Sequence, residues 1–282
     1  MFTQDNQCRK PQVARWVTRP HKRLSNFTRC AAAFCASMGL LACAAPTGGA
    51  LSSERAQATA SAPPSSDDCH AQPDPAQAQY IIGYGSLMQD ESRKRTSPEA
   101  GPAHPVEVAG YRRGWFAKGA PLGFGTTFLG ALPDPNARLN AVIYRVQMSE
   151  LAATDRREAL YCRFSVSLSS IKALETTKPE SRSGQAWIYV NRPESIATPS
   201  PSFPIVQSYV DIFVSGCLEQ EERFELKGFA QQCLATTADW SVHWVNDRLY
   251  PRRPFIYQPK AGRIDLLLVQ QLPAYFSRIR IE

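Results

Sequence analysis

Two short stretches of this chain carry residue types that could do chemistry together. The first, Tyr80-Ile81-Ile82-Gly83-Tyr84-Gly85-Ser86-Leu87-Met88, runs a brief apolar strand into a tight turn. Glycine at 85 permits the left-handed or strained backbone such a turn needs. Amides freed in succession there would form a nest that attracts an anion. The second, Asp155-Arg156-Arg157-Glu158-Ala159-Leu160-Tyr161-Cys162-Arg163, sets an acid at a helix end, followed by an aromatic, a basic residue and a new strand. A carboxylate in that place, partly buried with a raised pKa, is suited to carrying a proton. Each stretch also has an ordinary reading: Glu158 as a helix-surface residue paired with Arg156 or Arg157, and the loop as a β-turn around a buried Tyr84.

The elements around these stretches read as an α+β domain, strands first and helices late. After the Tyr80–Gly83 strand and its loop, Gln89–Arg95 reads as a helical turn. Val106–Lys118 reads as a strand with bends or bulges at Gly110 and Gly114. Phe124–Leu132 and Asn140–Val146 read as two strands joined by a turn at Pro133-Asp134-Pro135-Asn136. Ser149 is the expected N-cap of a short helix through Glu158, with Asp155 and the two arginines on its solvent side. Arg163–Leu168 and Gln185–Val190 read as strands. Pro204–Cys217 and Glu219–Cys233 carry helical apolar spacing, as at Ile205, Tyr209, Ile212 and Phe213. The remainder reads as helix and aromatic-rich loop. No repeat and no second linker interrupts residues 79–282, so they form one domain.

Charge and cysteine usage describe the amino-terminal part. The chain has a net charge of +7, and six of those charges fall in residues 1–42, leaving the rest near neutrality. The basic excess belongs to a leader, and no nucleic-acid-binding face follows from it. Residues 1–42 read as an export signal: a basic region ending at Arg29, then an apolar run from Cys30 to Ala42 that is too short to span a membrane. The run closes on Leu40-Leu41-Ala42-Cys43, a bacterial lipoprotein box in which Cys43 takes the lipid. The alternative is an Arg-rich organelle transit peptide. Residues 43–78, dominated by Ala, Pro, Ser, Thr and Gly, read as a flexible tether. Lipid on Cys43 would hold the domain at a membrane without a transmembrane helix, in the bacterial envelope and facing the periplasm. Cys69, Cys162, Cys217 and Cys233 would then meet an oxidising compartment. Either they are free thiols or they pair, and Cys217 with Cys233, on neighbouring expected helices, is the favoured pair.

The loop Tyr84-Gly85-Ser86-Leu87, followed about seventy residues later by Glu158 with Tyr161 three places on, resembles the gamma-glutamylcyclotransferase family, including its ChaC-type glutathione-degrading branch. The resemblance covers residues 79–190. Many members of that family have Asn where this chain has Leu87. It implies a small mixed β-barrel with flanking helices. It also implies a reaction in which the α-amine of a γ-glutamyl group attacks its own γ-carbonyl, giving 5-oxoproline and a free amine. On that resemblance Glu158 is the general base and acid, and Tyr84, Gly85, Ser86 and Leu87 cradle the γ-glutamyl group. Tyr161 either bonds the substrate or packs, and Arg163 either positions the glutamate or the substrate α-carboxylate or serves the structure. The partner is a small γ-glutamyl molecule, and neither metal nor organic cofactor is required.

Other chemistries fit less well. Ser86 has Tyr84 and Met88 where a nucleophile elbow has glycines. Gly83-Tyr84-Gly85 lacks the third glycine of a dinucleotide loop, and no Gly-Lys-Ser/Thr follows Gly123-Phe124-Gly125. Outside the leader the histidines (His70, His104, His243) are far apart and there is no Cys-x-x-Cys, so no zinc site is expected. Three rivals remain: a module that binds a γ-glutamyl or carboxylate ligand without turning it over, γ-glutamyl transfer to a second amine, and a structural envelope lipoprotein with no pocket beside Glu158. The segment 240–254, rich in Trp and Arg, either walls the site or packs as a loop.

Overall fold

A computed structural model of the chain describes residues 69–120, 123–175, 183–253 and 258–282. The leader, the lipid-box Cys43 and most of the expected tether lie outside the described residues. No helix among the described residues is long and apolar enough to cross a membrane.

Strand β1 (Gln79–Gly83) leads through a single 3-10 turn at Ser86–Met88 into the short helix α1 (Asp90–Lys94). Two long strands follow, β2 (His104–Gly119) and β3 (Thr126–Val146), and then helix α2 (Met148–Arg157). Next come β4 (Tyr161–Val166), β5 (Ile171–Ala173), β6 (Gln185–Asn191) and β7 (Ile205–Val206). Helices α3 (Gln207–Arg223) and α4 (Phe229–Ala235) precede β8 (Thr237–Ala238) and β9 (Trp244–Asn246). The chain ends with α5 (Ala261–Gln271), α6 (Pro273–Phe276) and β10 (Arg280–Ile281).

The strands form one mixed sheet in the order β10-β9-β7-β3-β1-β6-β4, with β2 also on β3, and β5 and β8 on β2. It does not close into the expected barrel. Its edges β4 and β5 share no ladder: they run in the same direction, and the link of Ser167 and the 3-10 turn Leu168–Ser170 is too short for the crossover a parallel pair needs. β1 is central, antiparallel to β3 and parallel to β6. Its alternation sends Ile81 into one buried cluster, with Trp115, Trp187 and Phe213, and Ile82 into another, with Val108, Ile143 and Ile188. A strand buried on both faces reads as a continuous apolar run, which is why Tyr80-Ile81-Ile82-Gly83 shows no polar alternation.

Several expected boundaries are corrected. The two strands expected on either side of Pro133-Asp134-Pro135-Asn136 are one strand, β3, which pairs with β2 on both sides of that segment. Residues 134–137 bulge out opposite Gly110, whose φ of +88° a side chain would strain, and the register shifts there. The proline pair marks a bulge in a ribbon, where a missing N–H is tolerated, and not a hairpin. Gln147, not Ser149, caps α2, its backbone N–H donating to the Glu150 carboxylate at 3.1 Å. Helix α3 runs past the expected break at Leu218. It stops at Phe224, after which Glu225 (φ +53°) and Gly228 (φ +82°) turn the chain into α4.

All four cysteines of the domain are paired. Cys217 joins Cys233 across α3 and α4, and Cys69 joins Cys162 at the start of β4. The second bond, with the Arg163 amide donating to Cys69 O at 2.7 Å, fastens residues 69–78 to the sheet. The tether expected to extend to residue 78 is therefore fixed over its last ten residues.

Arg113 on β2 is wholly buried among neutral acceptors. Its guanidinium donates to Tyr84 O, Asn140 O, Asn140 Oδ1, Cys233 O, Thr236 Oγ1 and Thr237 Oγ1 at 2.7–3.0 Å, and stands over the Phe213 ring. Burial pulls its pKa down to about 9, so it stays cationic at neutral pH. Removing it strands several buried acceptors, each worth about 1–3 kcal/mol. Arg113→Met is thus expected to cost at least about 3 kcal/mol in urea unfolding. A loss under about 1 kcal/mol would show that water or repacking replaces the guanidinium.

Candidate functional site

Glu158 is the first residue past α2. Its N–H donates to Thr154 O at 2.8 Å, and its carbonyl accepts from the Tyr161 amide at 2.9 Å, so the last turn of α2 and the first residue of β4 grip it from both sides. Its side chain is 16% exposed and opens on a cavity of about 390 Å³. Ser86, Arg157, Tyr161, Tyr209 and Arg253 share that cavity, and Phe128 and Leu160 supply apolar wall.

Burial raises the Glu158 pKa above the ordinary glutamate value of 4.5, and Arg157 and then Arg253 pull it back down. The carboxy-terminal end of helix α2 adds its partial negative charge to the same side of the balance as burial. Arg157 Nε sits 3.2 Å from Glu158 Oε1. The rest of its guanidinium is spent on the protein: Nη1 donates to Ser92 O (2.7 Å) and Thr96 Oγ1 (3.1 Å), Nη2 to Ser92 Oγ (3.0 Å) and Ser86 Oγ (3.1 Å). The arginine expected on the solvent side of α2 therefore ties Glu158 to the loop.

Gly85 has φ −127°, not a left-handed conformation. What requires glycine is room: a Cβ there would stand 3.0 Å from Tyr209 Oη. Tyr209, on the first turn of α3, is held edge-on by Phe128 (5.1 Å between ring centroids) and Trp115 (5.8 Å). Burial and then the Glu158 charge raise its pKa, and Arg253 and the nearby Ser86 oppose this. The Tyr209 hydroxyl stands beside the loop, and the residue lines the cavity, where its O–H is available to donate to a bound group.

The cavity brings together Ser86, Glu158 and Tyr161 of the residues singled out in the sequence. The Tyr161 ring lines the wall while its hydroxyl donates to Leu129 O at 2.8 Å. Tyr84 turns the other way: its hydroxyl donates to Tyr189 O at 2.6 Å, and its carbonyl accepts from Arg113. Gly85 contributes the close approach to Tyr209, and Leu87 packs in the core. Arg163 does not reach the lining. Its side chain is 3% exposed, its Nε bonds Asp155 Oδ1 at 2.9 Å, and its guanidinium stacks over Trp187. Tyr209 enters the site unannounced, more than 120 residues beyond the loop and without a motif, while Arg253 comes from segment 240–254, expected either to wall the site or to pack, and it lines the cavity. The paired arginines at 252–253 are the sequence signal for the second. Among the described residues, no three or more His, Cys, Asp or Glu side chains are placed to hold a metal ion.

Known proteins offer limited likeness. No family model matches the chain, and no curated protein sequence matches it. Similar solved structures include a gamma-glutamyl cyclotransferase (13% identity, 58% of this chain and 92% of that one, TM-score 0.43). An uncharacterised human protein is similar at 15% identity, over 58% of this chain and 92% of that one, with a TM-score of 0.41. A yeast gamma-glutamyl cyclotransferase specific to glutathione is similar at 12% identity, over 71% of this chain and 97% of that one, with a TM-score of 0.36. Identities this low, with TM-scores below 0.5, do not define the chemistry, which rests on the cavity itself.

The raised Glu158 pKa has a consequence for stability. The folded protein binds that proton more tightly than the unfolded chain does, so stability falls as pH rises from 4.5 through the higher folded-state value. Glu158→Gln, neutral throughout, is expected to raise the melting temperature by about 2–4 °C at pH 8 and to leave it unchanged at pH 4. Thermal scans at both pH values check this, and a lower melting temperature at pH 8 would mean the Arg157 contact outweighs burial.

Proposed function

We propose that this chain cleaves γ-glutamyl bonds by internal cyclisation, with Glu158 as general base and then general acid. One observation carries the reading: a mostly buried carboxylate with a raised pKa shares a cavity of about 390 Å³ with the Ser86 loop, a phenolic donor and two guanidinium groups. The cavity suits one small, charged, amine-bearing molecule, and its presence beside Glu158 leaves the purely structural reading without support.

In this reading the substrate enters with its α-ammonium against Glu158. The carboxylate takes one ammonium proton, and the freed amine attacks the γ-carbonyl carbon, closing a five-membered ring. The reacting atoms belong to one molecule, so the cavity's main task is to hold the folded-over conformer. As the carbonyl oxygen becomes an oxyanion, the Tyr209 hydroxyl donates to it. Glu158 gives its proton to the departing nitrogen, the original amide C–N bond breaks, and Glu158 takes the second proton from the ring nitrogen and passes it to the released amine, so that 5-oxoproline and a protonated free amine leave. Neither water nor an electron carrier is consumed. Glutathione or a γ-glutamyl amino acid would serve as substrate. The lipoprotein box at Leu40-Leu41-Ala42-Cys43 supports a lipid-anchored enzyme facing the periplasm.

The test incubates the full chain and its Glu158→Gln variant with glutathione and several γ-glutamyl dipeptides, and measures 5-oxoproline. Product from the parent chain is expected, with a loss of about a hundredfold or more in the variant. The acid limb of kcat/KM should lie above pH 4.5, because only the ionised carboxylate accepts the proton. Absence of 5-oxoproline from every substrate would sink the reading, and a γ-glutamyl product on a second, added amine would make the enzyme a transferase instead.

A further inference from the structure

Besides the exposed Arg156, three arginines stand near Glu158 in sequence or in space, and two of them are tied to a carboxylate of the protein. Arg157 is spent on Ser86, Ser92, Thr96 and Glu158. Arg163 is turned away from the cavity, its Nε on Asp155 and its guanidinium over Trp187, with Nη1 buried and unpartnered among the described residues. Arg253 differs. Its backbone is pinned, its N–H donating to Ser208 Oγ at 3.3 Å, while Ser208 and the Arg252 amide are both held by Asp247. Its side chain lies over the rings of Phe128 (5.4 Å) and Tyr209 (5.8 Å) and lines the cavity. Yet its Nε is buried without a hydrogen-bond partner among the described residues, and no carboxylate there is paired with it. The adjacent Arg252, by contrast, is engaged with Gly125 O and Glu282.

A half-buried cation whose backbone is pinned and which makes no ion-pair contact among the described residues is costly unless a ligand supplies one. The substrate's own covalent structure says which anion. In a γ-glutamyl group the α-amine and the α-carboxylate are attached to the same carbon. Wherever the amine meets Glu158, the carboxylate must lie within a few ångströms of it. The field of Arg253 is felt at Glu158, and that of Glu158 at Arg253.

We infer that Arg253 holds the α-carboxylate of the γ-glutamyl substrate, so that the site selects amino acids acylated through a free γ-glutamyl head and rejects otherwise identical amides lacking that carboxylate. This rests on the cyclisation reading above for the place of the amine. Arg253 thereby takes the part that Arg163, turned away toward Asp155, does not. It is a specificity-determining residue supplied by the carboxy-terminal third of the chain, where no motif points to it.

The experiment separates binding from turnover. Two probes are used, γ-L-glutamyl methylamide and 4-aminobutanoyl methylamide, which differ only in the α-carboxylate. Their dissociation constants are measured calorimetrically on the full chain carrying Glu158→Gln, with Arg253 intact, Arg253→Met or Arg253→Lys. The Met variant keeps the packing on Phe128 and Tyr209, and matching thermal melts verify that it folds. Expected are a tenfold to hundredfold weakening of the glutamyl probe by Arg253→Met, partial recovery with Lys, and no change for the probe without the carboxylate. Equal weakening of both probes, no weakening, or no measurable affinity for either would overturn the inference. Cyclisation is scored separately, on chains with Glu158 intact, by following release of 5-oxoproline from γ-L-glutamyl methylamide and from γ-L-glutamyl-L-alanine. If binding depends on Arg253 but no 5-oxoproline forms, the inference stands and the cyclisation reading falls. If 5-oxoproline forms and Arg253→Met slows only the alanine substrate, Arg253 holds the leaving group's carboxylate and the inference falls.

Discussion

A single buried cation organises the part of this molecule that could act. Arg113 reaches from β2 to the carbonyl of Tyr84 ahead of the loop, to Asn140 on β3, to the last turn of α4 at Cys233, and to Thr236 and Thr237 beyond it. Those partners come from segments scattered over more than 150 residues, and all are neutral dipoles. A carboxylate would have satisfied the charge at one point. Spreading it over carbonyls and hydroxyls makes the position of each segment depend on the others. The loop that carries Ser86 leaves β1 in a fixed direction because its Tyr84 carbonyl is held there.

From this frame the cavity is built by a division of labour among arginines. Arg113 sets the loop's base, and Arg157 joins the loop's Ser86 to Glu158. Arg163 anchors the helix end through Asp155, which also receives the Tyr189 hydroxyl. Each engaged guanidinium is paired with neutral acceptors or with one carboxylate of its own. The tension left over sits at Glu158, where burial favours the neutral acid and two guanidinium groups favour the anion. A group balanced in this way can change protonation state during a reaction without large cost in either direction.

The sequence disclosed the local features and concealed the distant ones. Glu158 and the loop were legible because each lies at a junction, helix to strand or strand to turn, that leaves a mark in a few consecutive residues. The order of strands before helices was legible for the same reason. Tyr209 looked like one more apolar position of α3, since a phenol facing a core and a phenol facing a cavity have the same helical spacing. Arg252 and Arg253 looked alike, and only the fold sends one to Glu282 and the other to the cavity. The prolines at 133 and 135 misled because a bulge and a hairpin use the same residues, and what decides between them is a partner strand more than twenty residues away. Gly85 matters for space and not for a left-handed backbone: its φ is ordinary, and the constraint is a hydroxyl that stands close to where a methyl would go.

The disulfide from Cys69 to Cys162 also fixes how the domain meets mechanical load. A pull applied upstream of Cys69 enters the fold through a covalent bond at the start of β4, one residue after Tyr161. The residues between Cys69 and β1 are bypassed, so the force does not peel the central strand from the sheet. β4 is held along its whole length by antiparallel pairing with β6, from Tyr161 opposite Asn191 to Val166 opposite Ala186. The load is therefore carried by an edge strand whose first residue lines the cavity, while β1, which carries the loop, is spared.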